Sequence, residues 1–200
     1  MASVNKTRRR FLIKSTAAMG VVGFVGASYA LIKYMSPSEK ARLAGGPVEL
    51  DISNLIPGQL ITVEWRNKPV WVLKRSPEAL QRLKQPLSSE RLRDPESTVI
   101  GQQPDYAKNS LRARSTHEDI LVVVGLCTHL GCIPGHHPKV ADKEISLSWP
   151  GGFYCHCHGS MFDFAGRVFK GVPAPTNLKV PPYYYTDNSV LVIGLDQKEN

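Results

Sequence analysis

All four cysteines of this 200-residue chain, Cys127, Cys132, Cys155 and Cys157, fall within 31 residues, in two tight pairs that each contain histidine. The segments are Cys127-Thr128-His129-Leu130-Gly131-Cys132 and Cys155-His156-Cys157-His158-Gly159-Ser160. Cysteines that merely fill a core are rarely so clustered. The fold must bring two loops together, through disulfides, a metal, or both, and spacing leaves these readings open.

Each segment offers a cysteine and a histidine at loop spacing, so the joined loops present two thiolates and two imidazoles. That is the ligand count of a 2Fe-2S cluster in which histidines replace cysteines on one iron. A structural zinc of Cys2His2 type takes the same atoms in a tetrahedron. A zinc ribbon pair is usually Cys-x2-Cys, whereas here each segment has a further cysteine left over. Two leftover cysteines can bridge, and a disulfide persists in an oxidising space outside a membrane.

The formal net charge of +8 belongs to one end of the chain. Residues 1–35 hold Lys6, Arg8, Arg9, Arg10, Lys14 and Lys33 and no acidic residue. The remainder keeps 19 of the 25 basic residues and all 17 acidic ones, a net of +2. A body so nearly neutral has no electrostatic footprint for nucleic acid. With 42% apolar residues it is long enough for one globular domain with a sizeable core.

Thr7-Arg8-Arg9-Arg10-Phe11-Leu12, then Ile13, Lys14 and an uncharged run from Ser15 to Ile32, is a twin-arginine export pattern. Proteins with this address cross a bacterial-type membrane already folded, which suits a cluster that would not survive threading of an unfolded chain. The run of 18 residues just reaches spanning length and exceeds a usual signal core. Residues 1–35 are therefore expected to stay as a transmembrane anchor, although Ser28-Tyr29-Ala30 is a passable cleavage site. Basic residues ahead of the run place the N-terminus in the cytoplasm and the body outside. Gly20, Gly23, Gly26 and Ala27 form a small-residue stripe, read either as a packing surface for another membrane helix or as ordinary signal composition.

Residues 36–47, polar and rich in small side chains, read as a flexible hinge linker. Strand signals begin next. Val48, Leu50 and Ile52 alternate with polar residues, and Leu60–Trp65 and Val70–Leu73 flank Arg66-Asn67-Lys68-Pro69 as a hairpin. Ser76-Pro77-Glu78 reads as an N-cap with proline at the first helical position, opening a short helix to about Lys84. From Gln85 to His117 the chain is polar and charge-dense and reads as a surface excursion. Ile120–Val124 is a buried-strand run leading into Cys127, and Tyr183–Thr186 and Val190–Ile193 flank Asp187-Asn188-Ser189 as a closing hairpin. The body is expected to be all-β, with the cysteine and histidine segments as loops in its middle.

The chain resembles the Rieske subunits of the ubiquinol:cytochrome c oxidoreductases, the cytochrome bc complexes. Beyond both loops, the likeness covers the twin-arginine anchor, Trp65-Arg66-Asn67-Lys68-Pro69-Val70-Trp71, Gln103-Pro104-Asp105-Tyr106-Ala107-Lys108-Asn109 and Gly171-Val172-Pro173-Ala174-Pro175. The resemblance implies an antiparallel β-sandwich over 48–200 with an inserted small cluster-binding β-subdomain at about 125–176, preceded by one transmembrane α-helix. It implies that Cys127 and Cys155 bind the inner iron of one 2Fe-2S cluster and His129 and His158 the outer iron, and that Cys132 and Cys157 form a disulfide. The Ser160 hydroxyl would hydrogen-bond a cluster sulfide, and Pro173-Ala174-Pro175 would be the rigid loop covering the cluster. Implied partners are ubiquinol, cytochrome b and a membrane-bound c-type cytochrome in a dimeric complex of the bacterial inner membrane, with the domain on the periplasmic side.

Two positions depart from the family pattern. Where relatives often have tyrosine bonded to a ligand sulfur, this chain has Phe162; losing a donor to thiolate implies a lower reduction potential. His156 stands where proline is common and reads as a solvated side chain, as His117, His136 and His137 read as ordinary structural or surface residues. The expected function is electron transfer from ubiquinol to a c-type cytochrome, with His129 or His158 accepting the quinol proton. Rival readings are an exported Rieske subunit of another oxidase, such as arsenite oxidase, and a non-redox zinc-binding module.

Overall fold

The computed structural model describes residues 5–39, 41, 45–85, 90–187 and 189–196, and the chain divides into two units, residues 1–43 and 44–200. Of the expected linker over 36–47, residues 40 and 42–44 lie outside the described residues. So do residues 1–4 of the anchor segment, 86–89 of the expected excursion and Asn188 of the closing turn.

In the first unit, helix α1 runs over Lys6–Met35. The Asn5 side chain accepts from the Thr7 and Arg8 amides at 3.1 and 3.2 Å, filling part of the donor deficit of a helix start. At 1.5 Å per residue the helix extends about 45 Å, more than the ~30 Å hydrocarbon core of a bilayer. Its most apolar window has mean hydropathy 1.6 and buries no residue within the chain. A helix apolar on every side and covered by nothing of its own is fit for lipid.

Among the described residues, the second unit holds three antiparallel sheets of three strands. Strands β2 (Leu60–Trp65), β3 (Lys68–Lys74) and β4 (Ile120–Val124) pair in that order, while β1 (Val48–Asp51), β9 (Val190–Ile193) and β8 (Tyr183–Tyr185) form a second sheet in the order β1-β9-β8. The third, β5 (Gly135–His137), β6 (Gly152–Cys155) and β7 (Ser160–Phe162), holds the second cysteine segment between its last two strands. One core cluster joins all three, with Val72, Val122, Phe153, Phe162, Tyr183 and Leu191 among its members.

The β2–β3 connection is tighter than the four residues read from sequence. Only Arg66 and Asn67 turn, both at positive φ (51° and 57°), and Lys68 and Pro69 already belong to β3. Two left-handed residues match the right-handed twist of the flanking strands, so a two-residue hairpin outcompetes a looser loop. The Arg66 guanidinium lies 4.6 Å over the Trp65 ring. Helix α2 (Pro77–Leu83) begins as read, its Ser76 hydroxyl accepting from the Ala79 amide at 3.2 Å.

The charge-dense stretch before β4 is not a surface excursion. Leu92, Ala107, Leu111, Arg112, Ala113 and Arg114 are buried. Arg112 donates to the carbonyls of Ala165 and Gly166 at 3.2 and 3.3 Å and to Gln103 Oε1 at 3.0 Å. Arg75 donates to the carbonyls of Leu111, Phe164 and Glu118. Burial lowers the pKa of both guanidinium groups to about 10, so they remain cations at neutral pH. A rigid fork of donors buries acceptably when carbonyls meet it, and that pairing is invisible in composition. The same stretch braces the chain beyond β7: the Arg93 amide donates to the Val168 carbonyl at 2.9 Å, and Arg93 Nη2 to the Val172 carbonyl at 2.8 Å.

Candidate metal centre

Cys127 stands three residues beyond β4, and Cys155 ends β6. Both segments then fold alike. The Gly131 amide donates to the Cys127 carbonyl at 2.8 Å, and the Gly159 amide to the Cys155 carbonyl at 2.9 Å. These glycines, four residues after each cysteine, have φ of 79° and 75°, a conformation other residues adopt only under strain. The first loop is further closed by the Cys127 amide donating to the Cys132 carbonyl at 2.7 Å.

The Cys132 and Cys157 sulfurs are bonded, joining the two loops across 25 residues of sequence. Cys127 and Cys155 are the free pair, both buried and near enough for the one thiol to perturb the other. The Cys155 sulfur lies with those of Cys132 and Cys157 inside a 4.8 Å group. Burial pushes the Cys155 thiol up, the Cys157 backbone amide works against it, the neighbouring Cys127 adds to the rise, and the His158 amide again opposes it. Amides already aimed at a sulfur hold a thiolate without further rearrangement.

His129 and His158 meet edge to face, ring centroids 4.7 Å apart. His158 is exposed and His129 half-buried, and the His129 Nδ1 is sealed from solvent with no hydrogen-bond partner. An orphaned buried ring nitrogen, two residues from the buried free Cys127, is costly unless something else binds it. Two soft sulfurs and two imidazoles on two disulfide-joined loops fit an iron–sulfur centre with mixed ligands. Leu130 and Ile133, next in sequence to His129 and Cys132, are both exposed.

The Pro173-Ala174-Pro175 loop is tied to both segments. The Ala174 amide donates to Ser160 Oγ at 3.0 Å, which leaves the buried Ser160 hydroxyl its own proton to give. The Thr128 hydroxyl donates to the Thr176 carbonyl at 2.6 Å. Sequence reasoning passes over Thr128 because nothing local to it signals a partner 48 residues away. Phe162, fully buried, faces Phe153 across β6 and β7 in the core cluster that also holds Cys127 and Cys155. The remaining histidines part ways. His136 packs between Phe153 and Phe164, where burial lowers its pKa, and His117 stacks on Tyr185. His156 is exposed, yet it meets His137.

A family model described as the Rieske [2Fe-2S] domain matches residues 89–182, and one described as the ubiquitinol-cytochrome C reductase Fe-S subunit TAT signal matches residues 1–38. The ubiquinol-cytochrome c reductase iron-sulfur subunit of Allochromatium vinosum is 52% identical over 197 residues, spanning 97% of this chain and 91% of that one. Its namesake in Rhodospirillum rubrum is 42% identical over 190 residues (94% and 92%), and that of Blastochloris viridis 41% over 188 (94% and 93%). Likeness that runs from the export segment to the closing strands speaks against both a zinc module and the small subunit of an unrelated oxidase: the chain belongs to the family of ubiquinol-cytochrome c reductase iron–sulfur subunits.

Proposed function

We propose that this chain is the electron-transfer subunit of a quinol:cytochrome c reductase, with Cys127, Cys155, His129 and His158 as the ligands of its 2Fe-2S cluster. The observation that carries this reading is the asymmetry of the donor set: both thiols are buried, while His158 stands in solvent at the tip. When bound, the cluster supplies a one-electron acceptor for ubiquinol and a donor for a c-type haem.

The protein's own part is to manage a proton. An imidazole held through one nitrogen keeps the other for a hydrogen bond, and His129 or His158 accepts one from the quinol hydroxyl. Positive charge beside the ring lowers its pKa, and loss of that charge raises it, so proton uptake accompanies electron uptake. The exposed Leu130 and Ile133 offer an apolar rim for a cytochrome b surface. Helix α1 anchors the chain in the bacterial inner membrane, with residues 44–200 on the periplasmic side and cytochromes b and c beside it in a dimeric complex.

Gentle detergent extraction tests the assembly: the chain is expected to co-purify with b- and c-type haems and quinol-dependent cytochrome c reduction. Redox-poised titration tests the proton. A ligand-histidine pKa that does not respond to cluster oxidation state overturns the mechanism.

Phe162 sets how strongly the centre draws electrons. A tyrosine hydroxyl there, donating to a ligand sulfur, stabilises the electron-rich reduced state more than the oxidised one. If the difference is about 1 kcal/mol, the midpoint of Phe162→Tyr rises on the order of 40 mV, since a tenfold change is 59 mV for one electron. Equilibrium redox titration monitored by spin resonance reads the shift, and an unmoved midpoint refutes it.

A further inference from the structure

His137 and His156 lie 19 residues apart in sequence, and their Nε2 atoms stand 3.1 Å from each other. Strand pairing explains the meeting. In the register of β5 with β6, Gly135 is opposite Tyr154 and His137 opposite Gly152. Alternation then puts Gly135, His137 and Tyr154 on one face of the small sheet, and His156, two residues beyond Tyr154, continues on that side. His136 points to the other face and into the core.

The glycine leaves a cradle. A Cβ on Gly135 would sit 2.8 Å from His137 Nε2 and 3.5 Å from His156 Nε2, so both nitrogens converge on space that any larger residue would occupy. Behind His137, Asp142 Oδ2 stands 3.7 Å from Nδ1, with both side chains partly exposed. That distance is longer than a hydrogen bond, and a small rotation of the carboxylate would let it accept from Nδ1 and leave the Nε2 lone pair facing the cradle. Such backing by carboxylate is the usual support of a metal-bound histidine. Two imidazole nitrogens each about 2.0–2.1 Å from one ion, at bond angles between roughly 90° and 110°, lie roughly 2.8–3.4 Å apart. The observed separation falls within that span.

We propose that His137 and His156, converging over Gly135 and backed by Asp142, form a binding site for a divalent transition-metal ion of the zinc class, separate from the cluster. Water completes the coordination, since the site opens to solvent on the exposed His156 side.

The test uses the full-length holoprotein in detergent, with zinc ion alone as the probe and the visible circular dichroism of the cluster as the check that fold and centre are intact. Calorimetry and bound-metal analysis are expected to show one zinc equivalent in the native protein that is lost in His137→Gln and in His156→Gln. Asp142→Asn is expected to weaken binding about ten- to a hundredfold. Gly135→Ala keeps both imidazoles and fills the cradle, so it too should lose the equivalent. Zinc uptake unchanged in the histidine and Gly135 variants, or no uptake up to millimolar zinc, overturns the proposal.

Discussion

Full-length Cys155→Ser protein is expected to carry no cluster: its visible absorption and the spin resonance signal of the reduced state vanish, and quinol-dependent cytochrome c reduction falls to background. Cys155 is buried, the amides of Cys157 and His158 favour its thiolate, and the Cys127 thiol is close enough to oppose it. Soft thiolates select iron–sulfur centres, and a hydroxyl is a harder and far more weakly acidic donor. Serine occupies nearly the same volume, so the loss reports ligation and not packing. A variant that retains the native spectrum would remove Cys155 from the ligand set and with it the proposed centre.

Removing the disulfide should be nearly as damaging to the centre. The Cys132–Cys157 bond closes 25 residues, and for a loop of that length the chain-entropy relation assigns about 3.5 kcal/mol. A domain of this size moves its melting temperature by roughly 2–4 °C per kcal/mol, so the double variant Cys132→Ala, Cys157→Ala should melt on the order of 10 °C lower. Because the bond ties the two cluster segments to each other, cluster bleaching is expected to precede unfolding of the remaining sheets. Parallel thermal scans of cluster absorption and far-ultraviolet circular dichroism measure both, and unchanged transitions in the variant would show that the loops are held by other contacts. Alanine at both positions avoids leaving a lone thiol that competes for iron.

Much of the architecture is legible along the chain. Period-two alternation marks β1, continuous apolar runs mark β3 and β4, and Ser76-Pro77 announces α2, because each signal depends on neighbours a few residues away. The stretch before β4 misleads for the opposite reason. Its arginines are ordinary surface residues by composition, and partners far along the chain help satisfy them in the interior: the carbonyls of Ala165 and Gly166 for Arg112, and that of Tyr183 for Arg114, all more than fifty positions later.

The centre divides along the same line. The chain alone supplies the donors: four cysteines and the three histidines His129, His156 and His158 in the two loops, with a glycine four residues after Cys127 and another four after Cys155 to let each loop turn. Spacing does not tell which cysteines stay free, and the structure shows Cys132 and Cys157 bonded with Cys127 and Cys155 buried side by side. It takes the folded arrangement to make Thr128 and Ser160 hold the proline loop from two sides, or to bring His137 to His156 over Gly135. Such pairings are fixed by strand register and sheet contact, and register is a relation between distant segments that no single window of sequence contains.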